Sequence, residues 1–395
     1  MISNKMLYYV QNNSAVRAMF EEGKRLSQQY GADNVYDFSL GNPNVASPKE
    51  IKEAIIDIIN REDAQMVHGY MNNSGYEDVR FAVADSLNRR FQTSFEGKNI
   101  LMTAGAAGGM NVILKSLLNP EDEVIVFAPF FGEYRAYAAN YDGKLVIVPP
   151  DTETFLPNLG TFEYLITEKT KAVIVNTPNN PTGVVYSKET IQEMAAILSR
   201  KQKEFRTSIY LISDEPYREL VYDGAEVPYI TKYYKNTIIG YSFSKSLSLP
   251  GERIGYLVIP DEADDCEAIL EAANVANRIL GYVNAPSLFQ RVIARCLDTK
   301  VDIKYYDRNR LTLFEGLKKA GLTCQKPEGA FYLFVKSPVA DEKEFCEEAK
   351  KHNLLLVPGS SFACPGYVRL AYCVAYETIV NALPHFEELM RKYRR

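Results

Sequence analysis

Tryptophan is absent from this chain, and histidine occurs only at His68, His352 and His385. The six cysteines (Cys266, Cys296, Cys324, Cys346, Cys364 and Cys373) form no CxxC pair and stand at no spacing to histidine that suggests a metal site. Zinc chemistry is therefore not expected. Forty-five basic against fifty acidic side chains give a net charge of −5, without the basic excess that binding a phosphate backbone requires. Nucleic acid is not an expected partner. No run of 18 apolar residues occurs, and the opening MISNKMLYYVQNNSAVRAMF lacks a basic segment followed by an apolar core. No membrane partner is expected either, and the expected compartment is a reducing cytoplasm. Neither GxGxxG nor GxxxxGK[ST] occurs, which removes the usual support for a dinucleotide or P-loop nucleotide site. Internal repeats, low-complexity tracts and charge blocks are also missing.

What is present suits a soluble globular protein: 395 residues, 46% hydrophobic and 24% charged. That length implies two domains, or one large α/β domain with a satellite. From residue 99 onward, short apolar runs alternate with segments of helical period, the pattern of a mostly parallel sheet covered on both faces. Seven runs are predicted strands: NILMTAG (99–105), EVIVFAP (123–129), KLVIVP (144–149), KAVIVNT (171–177), SIYLISD (208–214), TIIGYSF (237–243) and RIGYLVIP (253–260). Helices are predicted in AAGGMNVILKSLLN, KETIQEMAAILSRKQKE and EADDCEAILEAANVANRIL, as βαβ crossovers. A long helical region is expected from Ala285 to Lys319, followed by EGAFYLFVK, the helix ADEKEFCEEAKKHN, LLLVPG, GYVRLAYC and a final helix. The predicted architecture is α/β. A large domain (46–290) carries the seven-stranded sheet, and a smaller α+β domain is built from residues 1–45 and 291–395.

Uncommon polar residues cluster where five of the seven runs end, and in an open parallel sheet ligands bind at the carboxyl ends of the strands. The first run ends in TAGAAGG, where the NH groups of Ala106 and Ala107 open a helix and favour a phosphate. A purely structural turn would read the same way. The second ends in APFFGEY, which puts Phe130, Phe131 and Tyr134 at the rim or in the core. The fourth ends in TPNNPTG, whose prolines and glycine fix a loop around Asn179 and Asn180. The fifth ends in ISDEPY, placing Asp214 at the strand terminus, as a buried carboxylate or a helix N-cap, with Tyr217 one turn later.

The sixth run leads into SFSKSLSLPGERIG. An ordinary lysine amine is almost wholly protonated at pH 7, and removing the proton costs about 4 to 5 kcal/mol. Condensing Lys245 with an aldehyde solves this, because a Schiff base is poised for exchange with another amine. Ser242 and Ser244 are potential donors nearby, and Arg253 offers a fork to a phosphate. Pyridoxal 5′-phosphate has the groups that these residues could hold.

Here the chain resembles the class I/II, fold type I aminotransferases, the group that includes aspartate aminotransferase. The resemblance runs from SLGNPN at 39 to GYVRLAY at 366, through NNPTG, DEPY and SFSKSLSLPGERIG. It implies a pyridoxal 5′-phosphate enzyme with Lys245 as the Schiff-base lysine and proton carrier. Asp214 would pair with the pyridinium nitrogen, and Asn180 and Tyr217 would bond the ring's O3′. Ala106, Ala107, Ser242, Arg253 and, as an extra donor, Ser244 would hold the phosphate, with Phe131 stacked on the ring. Tyr70, in HGYMNNSG, would reach the phosphate of a partner subunit in a homodimer. Arg369 would grip the substrate α-carboxylate, helped by the backbone of Gly41.

Two departures bear on the substrate. Arg278, in RILGYVNAP, stands one place out of register with the second arginine of dicarboxylate-specific relatives, and the segment before Arg369 is shorter than in many of them. The expected reaction is a ping-pong transfer of an amino group from an L-amino acid to a 2-oxo acid. A carbon–sulfur β-lyase on the same cofactor, or a non-catalytic regulatory protein that keeps the cofactor, are the alternatives.

Overall fold

The computed structural model describes residues 2–11 and 15–393. After the two-residue strand β1 (Tyr36–Asp37), the seven predicted runs form β2 (Ile100–Thr103), β3 (Glu123–Phe127), β4 (Lys144–Val148), β5 (Thr170–Asn176), β6 (Tyr210–Asp214), β7 (Thr237–Ser242) and β8 (Gly255–Val258). They make one sheet in the order β2-β8-β7-β6-β5-β3-β4. Only β8 runs against its neighbours, β2 and β7; the other pairings are parallel.

The apolar runs do not alternate because both faces of this sheet are covered. Helices Gly105–Leu117 and Cys266–Ile279 bring Met110, Ile113, Ala273 and Ala276 onto one face, against Leu101, Val124, Ile212 and Ile238. The helix Lys188–Phe205 brings Ile191, Met194 and Leu198 onto the other, against Ile125, Val173 and Leu211. Its first turn is fixed by Ser187, whose hydroxyl accepts from the Thr190 amide at 3.2 Å.

Downstream lie β9 (Thr323–Cys324), β10 (Tyr332–Lys336), β11 (Leu354–Leu355), β12 (Val357–Pro358) and β13 (Tyr367–Ala371). Four of them form an antiparallel sheet in the order β12-β13-β10-β9, which leaves β11 to pair in parallel with β1. LLLVPG is thus divided between two sheets. The region from Ala285 to Lys319 is likewise not one helical stretch. It forms helices Ser287–Arg295 and Ile303–Ala320, and the second begins where Asp302 accepts from the Lys304 amide at 3.0 Å. An N-cap side chain that satisfies a first-turn amide starts a new helix regardless of the apolar period around it.

Tyr36 and Phe38 share a hydrophobic cluster with Phe331, Leu333, Leu370 and Phe386. The Ala371 amide also donates to Phe38 O at 2.8 Å. These contacts lay residues 39–41 across the end of β13, facing the carboxyl edge of the large sheet.

One buried cation ties the two sheets' surroundings together. Arg310, wholly buried on the helix Ile303–Ala320, donates to Asp223 at 2.9 and 3.1 Å, to Asp307 at 2.8 Å and to Pro327 O at 2.7 Å. Removing Arg310 leaves a cavity and takes the cation from Asp307 and the donor from Pro327 O, while Asp223 keeps only Lys326 at 2.9 Å. Arg310→Ala is expected to lower unfolding free energy by about 3 kcal/mol or more, read as a lower urea midpoint; an unchanged midpoint would contradict the structural role.

Candidate active site

Lys245 is delivered by β7, all six of whose residues are buried. Ser242 ends the strand and caps the single-turn helix Phe243–Ser246, its hydroxyl accepting from the Ser244 amide at 3.1 Å. Lys245 projects from that turn, and its Nζ donates to Gly41 O at 2.6 Å. Among the described residues no carboxylate pairs with it. Burial pushes its ammonium down to about 8; the Cys373 thiol opposes this, while Arg253 and Arg369 add to it. About a tenth of such amines are neutral at pH 7, against fewer than about one in a thousand for an ordinary lysine. Folding alone therefore makes this lysine a better nucleophile.

Asp214 closes β6 and is buried. Its Oδ2 accepts from the Tyr134 hydroxyl at 2.5 Å, while its Oδ1 is buried without a partner. Burial raises the carboxyl to about 7; the Tyr134 bond pulls it back and Glu215 raises it further. An orphaned buried acceptor costs roughly 1 to 3 kcal/mol. A cationic NH placed on Oδ1 would remove that cost.

On the far side of Asp214 from Lys245, after β5, lies the TPNNPTG loop. Asn176 fixes it by donating to Asp214 O at 2.9 Å and accepting from the Asn180 amide at 2.7 Å. Asn179 turns inward to its own loop, accepting from Thr182. Asn180 faces Arg369, whose Nη1 donates to its Oδ1 at 3.0 Å while Nη2 donates to Ser39 O at 2.6 Å. Arg369 lies on β13, an interior strand, and is 2% exposed. The Tyr332 and Phe362 rings lie 4.4 and 4.8 Å from its guanidinium. Tyr217, also buried, shares a 3.0 Å hydrogen bond with the Tyr332 hydroxyl.

A second cluster sits at the start of the helix Gly105–Leu117. Gly105 has φ +70°, and a Cβ there would stand 2.9 Å from Arg253 Nη2, so glycine allows the guanidinium to approach the helix end. Ala106 and Ala107 occupy the first turn, whose amides have no intrahelical acceptor. Ser242 Oγ donates to Ser244 Oγ at 2.8 Å, and Arg253 Nη1 lies 3.5 Å from Ser244 Oγ and donates to Pro250 O at 2.9 Å. An anion would find a guanidinium, two hydroxyls and a helix N-terminus together.

Phe131 is half-buried at the rim, its ring edge-on to Tyr134 at 5.6 Å. Tyr134, expected beside it at the rim or in the core, is 1% exposed and serves Asp214. Tyr70 is 91% exposed and has no hydrogen-bond partner among the described residues, so within one chain it is not drawn into the cluster. The sequence reading missed three further neighbours: Tyr332, Asn176 and Cys373, whose Sγ lies 3.9 Å from Leu40 O. Their only signal is strand-end position, and 27 tyrosines give that signal no selectivity.

The residues present fit pyridoxal 5′-phosphate: a desolvated amine for its aldehyde, an orphan carboxylate oxygen for its ring NH, and an anion cradle for its phosphate. Without ligand, Asp214 binds its proton more tightly in the folded than in the unfolded chain. Its stabilising contribution is then full below about pH 4 and is lost as pH rises to about 7, amounting to about 4 kcal/mol at most. In denaturant titrations of the cofactor-free protein, Asp214→Asn is expected to flatten this decline; a wild-type and variant that track each other would contradict the raised carboxyl.

The family model for aminotransferase class I and II matches residues 33–386. Aspartate aminotransferase of Thermotoga maritima is 28% identical over 91% of this chain and 92% of its own length. Aspartate/prephenate aminotransferase of Thermus thermophilus is 30% identical over 95% and 96%. Among solved structures, an amino transferase from Eubacterium rectale superposes with a TM-score of 0.97 at 44% identity, covering both chains fully. Thermus thermophilus aspartate aminotransferase with maleate gives 0.87 at 28% identity, over 98% of this chain and 99% of that one. A match across nearly the whole chain, in sequence and in fold, makes this protein a member of the class I and II aminotransferases, fold type I enzymes that use pyridoxal 5′-phosphate.

Proposed function

We propose that the residues around Lys245 move an amino group from an L-amino acid to a 2-oxo acid, with the following division of work. When bound, pyridoxal 5′-phosphate supplies the aldehyde that joins amines and the ring that draws off the electron pair left at Cα. Lys245 Nζ would hold the cofactor's aldehyde and, as a free amine, would be the group that moves a proton to and from the substrate Cα. Asp214 Oδ1 keeps the ring nitrogen protonated. Asn180 and Tyr217 donate to the ring oxygen, and Phe131 packs on the ring face. Ala106, Ala107, Ser242, Ser244 and Arg253 hold the phosphate. Arg369 grips the substrate α-carboxylate with help from the Gly41 backbone, so Ser39 O and Gly41 O are the ligands that Arg369 and Lys245 exchange on binding.

The observation that carries this division is Asp214 Oδ1, a buried acceptor with no partner on the strand beside the one that leads to a desolvated lysine. The exposed Tyr70 supports a homodimer in which it reaches the partner subunit's phosphate site. Arg278, the candidate for reading a second carboxylate, lies on the helix Cys266–Ile279 one place out of register with the dicarboxylate-specific pattern, and that register favours L-amino acids as a class over dicarboxylates alone. Among the described residues no helix is long and apolar enough to cross a membrane, and the cytoplasm is the compartment we propose.

A half-reaction panel tests this reading. Holoprotein mixed with each common amino acid is expected to convert to the pyridoxamine form for a subset, and amines without an α-carboxylate are expected to fail. Arg369→Ala should lower kcat/KM roughly a hundredfold for every responsive amino acid, mostly through KM; an unchanged KM would refute the grip. Pyruvate and ammonia released with no 2-oxo acid acceptor would point to elimination instead.

A further inference from the structure

Tyr332 has no part in the roles above, yet it touches both halves of the site. It opens β10, pairs with Ala371 across the ladder and is 3% exposed. Its hydroxyl is 3.0 Å from the Tyr217 hydroxyl, and the two rings meet edge to face at 5.8 Å. The face of its ring lies 4.4 Å from the Arg369 guanidinium. The same hydroxyl rests against Gly41, where a Cβ would fall 1.9 Å from it. One side chain of the small sheet therefore meets the tyrosine assigned to the cofactor, the arginine assigned to the substrate, and the N-terminal segment that carries the acceptor of Lys245.

Proton counting gives the hydrogen bond a direction. Each tyrosine has one hydroxyl proton. When Tyr217 gives its proton to a ring oxygen, it can only accept from Tyr332, and a donor that is itself hydrogen-bonded donates more strongly. The other titratable groups that act on this pair are Arg369 and Cys373, and Lys245 adjoins Cys373.

We propose that Tyr332 is a positioning residue that couples the two halves of the site: its hydroxyl orients and strengthens Tyr217 toward the cofactor's ring oxygen, and its ring holds Arg369 for the substrate carboxylate. The proposal rests on the cofactor reading given above. It assigns separate consequences to separate atoms. Without the hydroxyl, Tyr217 neutralises the ring oxygen less well, so the lysine-bound cofactor keeps its proton to higher pH. Without the ring, the guanidinium loses its platform and carboxylate binding weakens.

The test titrates the visible absorbance of the holoenzyme with pH and measures half-reaction kinetics for wild type, Tyr332→Phe and Tyr332→Leu. Tyr332→Phe is expected to raise the absorbance midpoint by about half a pH unit, with KM for the amino acid within roughly threefold of wild type. Tyr332→Leu is expected to shift the midpoint and also to raise KM roughly tenfold. The unfolding midpoint of cofactor-free Tyr332→Phe should stay close to wild type, which separates this role from a structural one. A Tyr332→Phe titration that coincides with wild type overturns the proposal. So does a Tyr332→Leu KM equal to that of Tyr332→Phe. A wild type that takes up no pyridoxal 5′-phosphate overturns the cofactor reading, and this proposal with it.

Discussion

The guanidinium of Arg369 is the contact on which the site's assembly depends. It stands on β13 of the small sheet, donates to Asn180 at the edge of the large sheet and to Ser39 of the N-terminal segment, and lies against the rings of Tyr332 and Phe362. Three separate stretches of chain meet there. A buried cation is tolerable only when its donors are used, and Nε remains unpaired. No carboxylate neutralises it among the described residues. The charge is left facing the crevice, where it favours an anionic ligand and, with Arg253 and burial, disfavours a proton on Lys245.

That last effect pairs with an opposite one across the crevice. Burial lowers the Lys245 ammonium to about 8 and raises the Asp214 carboxyl to about 7, so each group lies nearer its neutral form at neutral pH than an ordinary lysine or aspartate. On the proposed reading each would be relieved by a different end of one molecule: the amine by an aldehyde, the carboxylate by a protonated ring nitrogen. Tyr134 moderates the Asp214 shift by occupying one carboxylate oxygen and leaving the other open.

The large sheet was legible because its strands are buried on both faces, so VIV, LISD and TIIGY read as continuous apolar runs bounded by polar ones. The helices between 285 and 319 were not, because their boundary is set by the Asp302 cap rather than by a break in period. LLLVPG gave no sign that its two halves join different sheets, since pairing partners lie far away in sequence. Strand ends and family motifs pointed to Lys245, Asp214, Asn180, Tyr217 and Arg369; in the structure Asn180 bonds Arg369, Tyr217 reaches it through Tyr332, Lys245 bonds Gly41 and Asp214 bonds Tyr134. Tyr332 was out of reach, since nothing local separates it from the other tyrosines, and Tyr134 was placed by its strand end but its bond to Asp214 was not; both meanings come from contacts, 115 and 80 residues away.

The central claim is that Lys245, and no other lysine, is the amine that folding prepares for an aldehyde. Its most direct test is chemical. Holoprotein is reduced with borohydride, digested, and the pyridoxyl-bearing peptide located by tandem mass spectrometry. The result expected is a single modified lysine at Lys245, in the peptide that contains SFSKSLSLPGER. A stoichiometric adduct on any other lysine, or full labelling in Lys245→Ala, would contradict it.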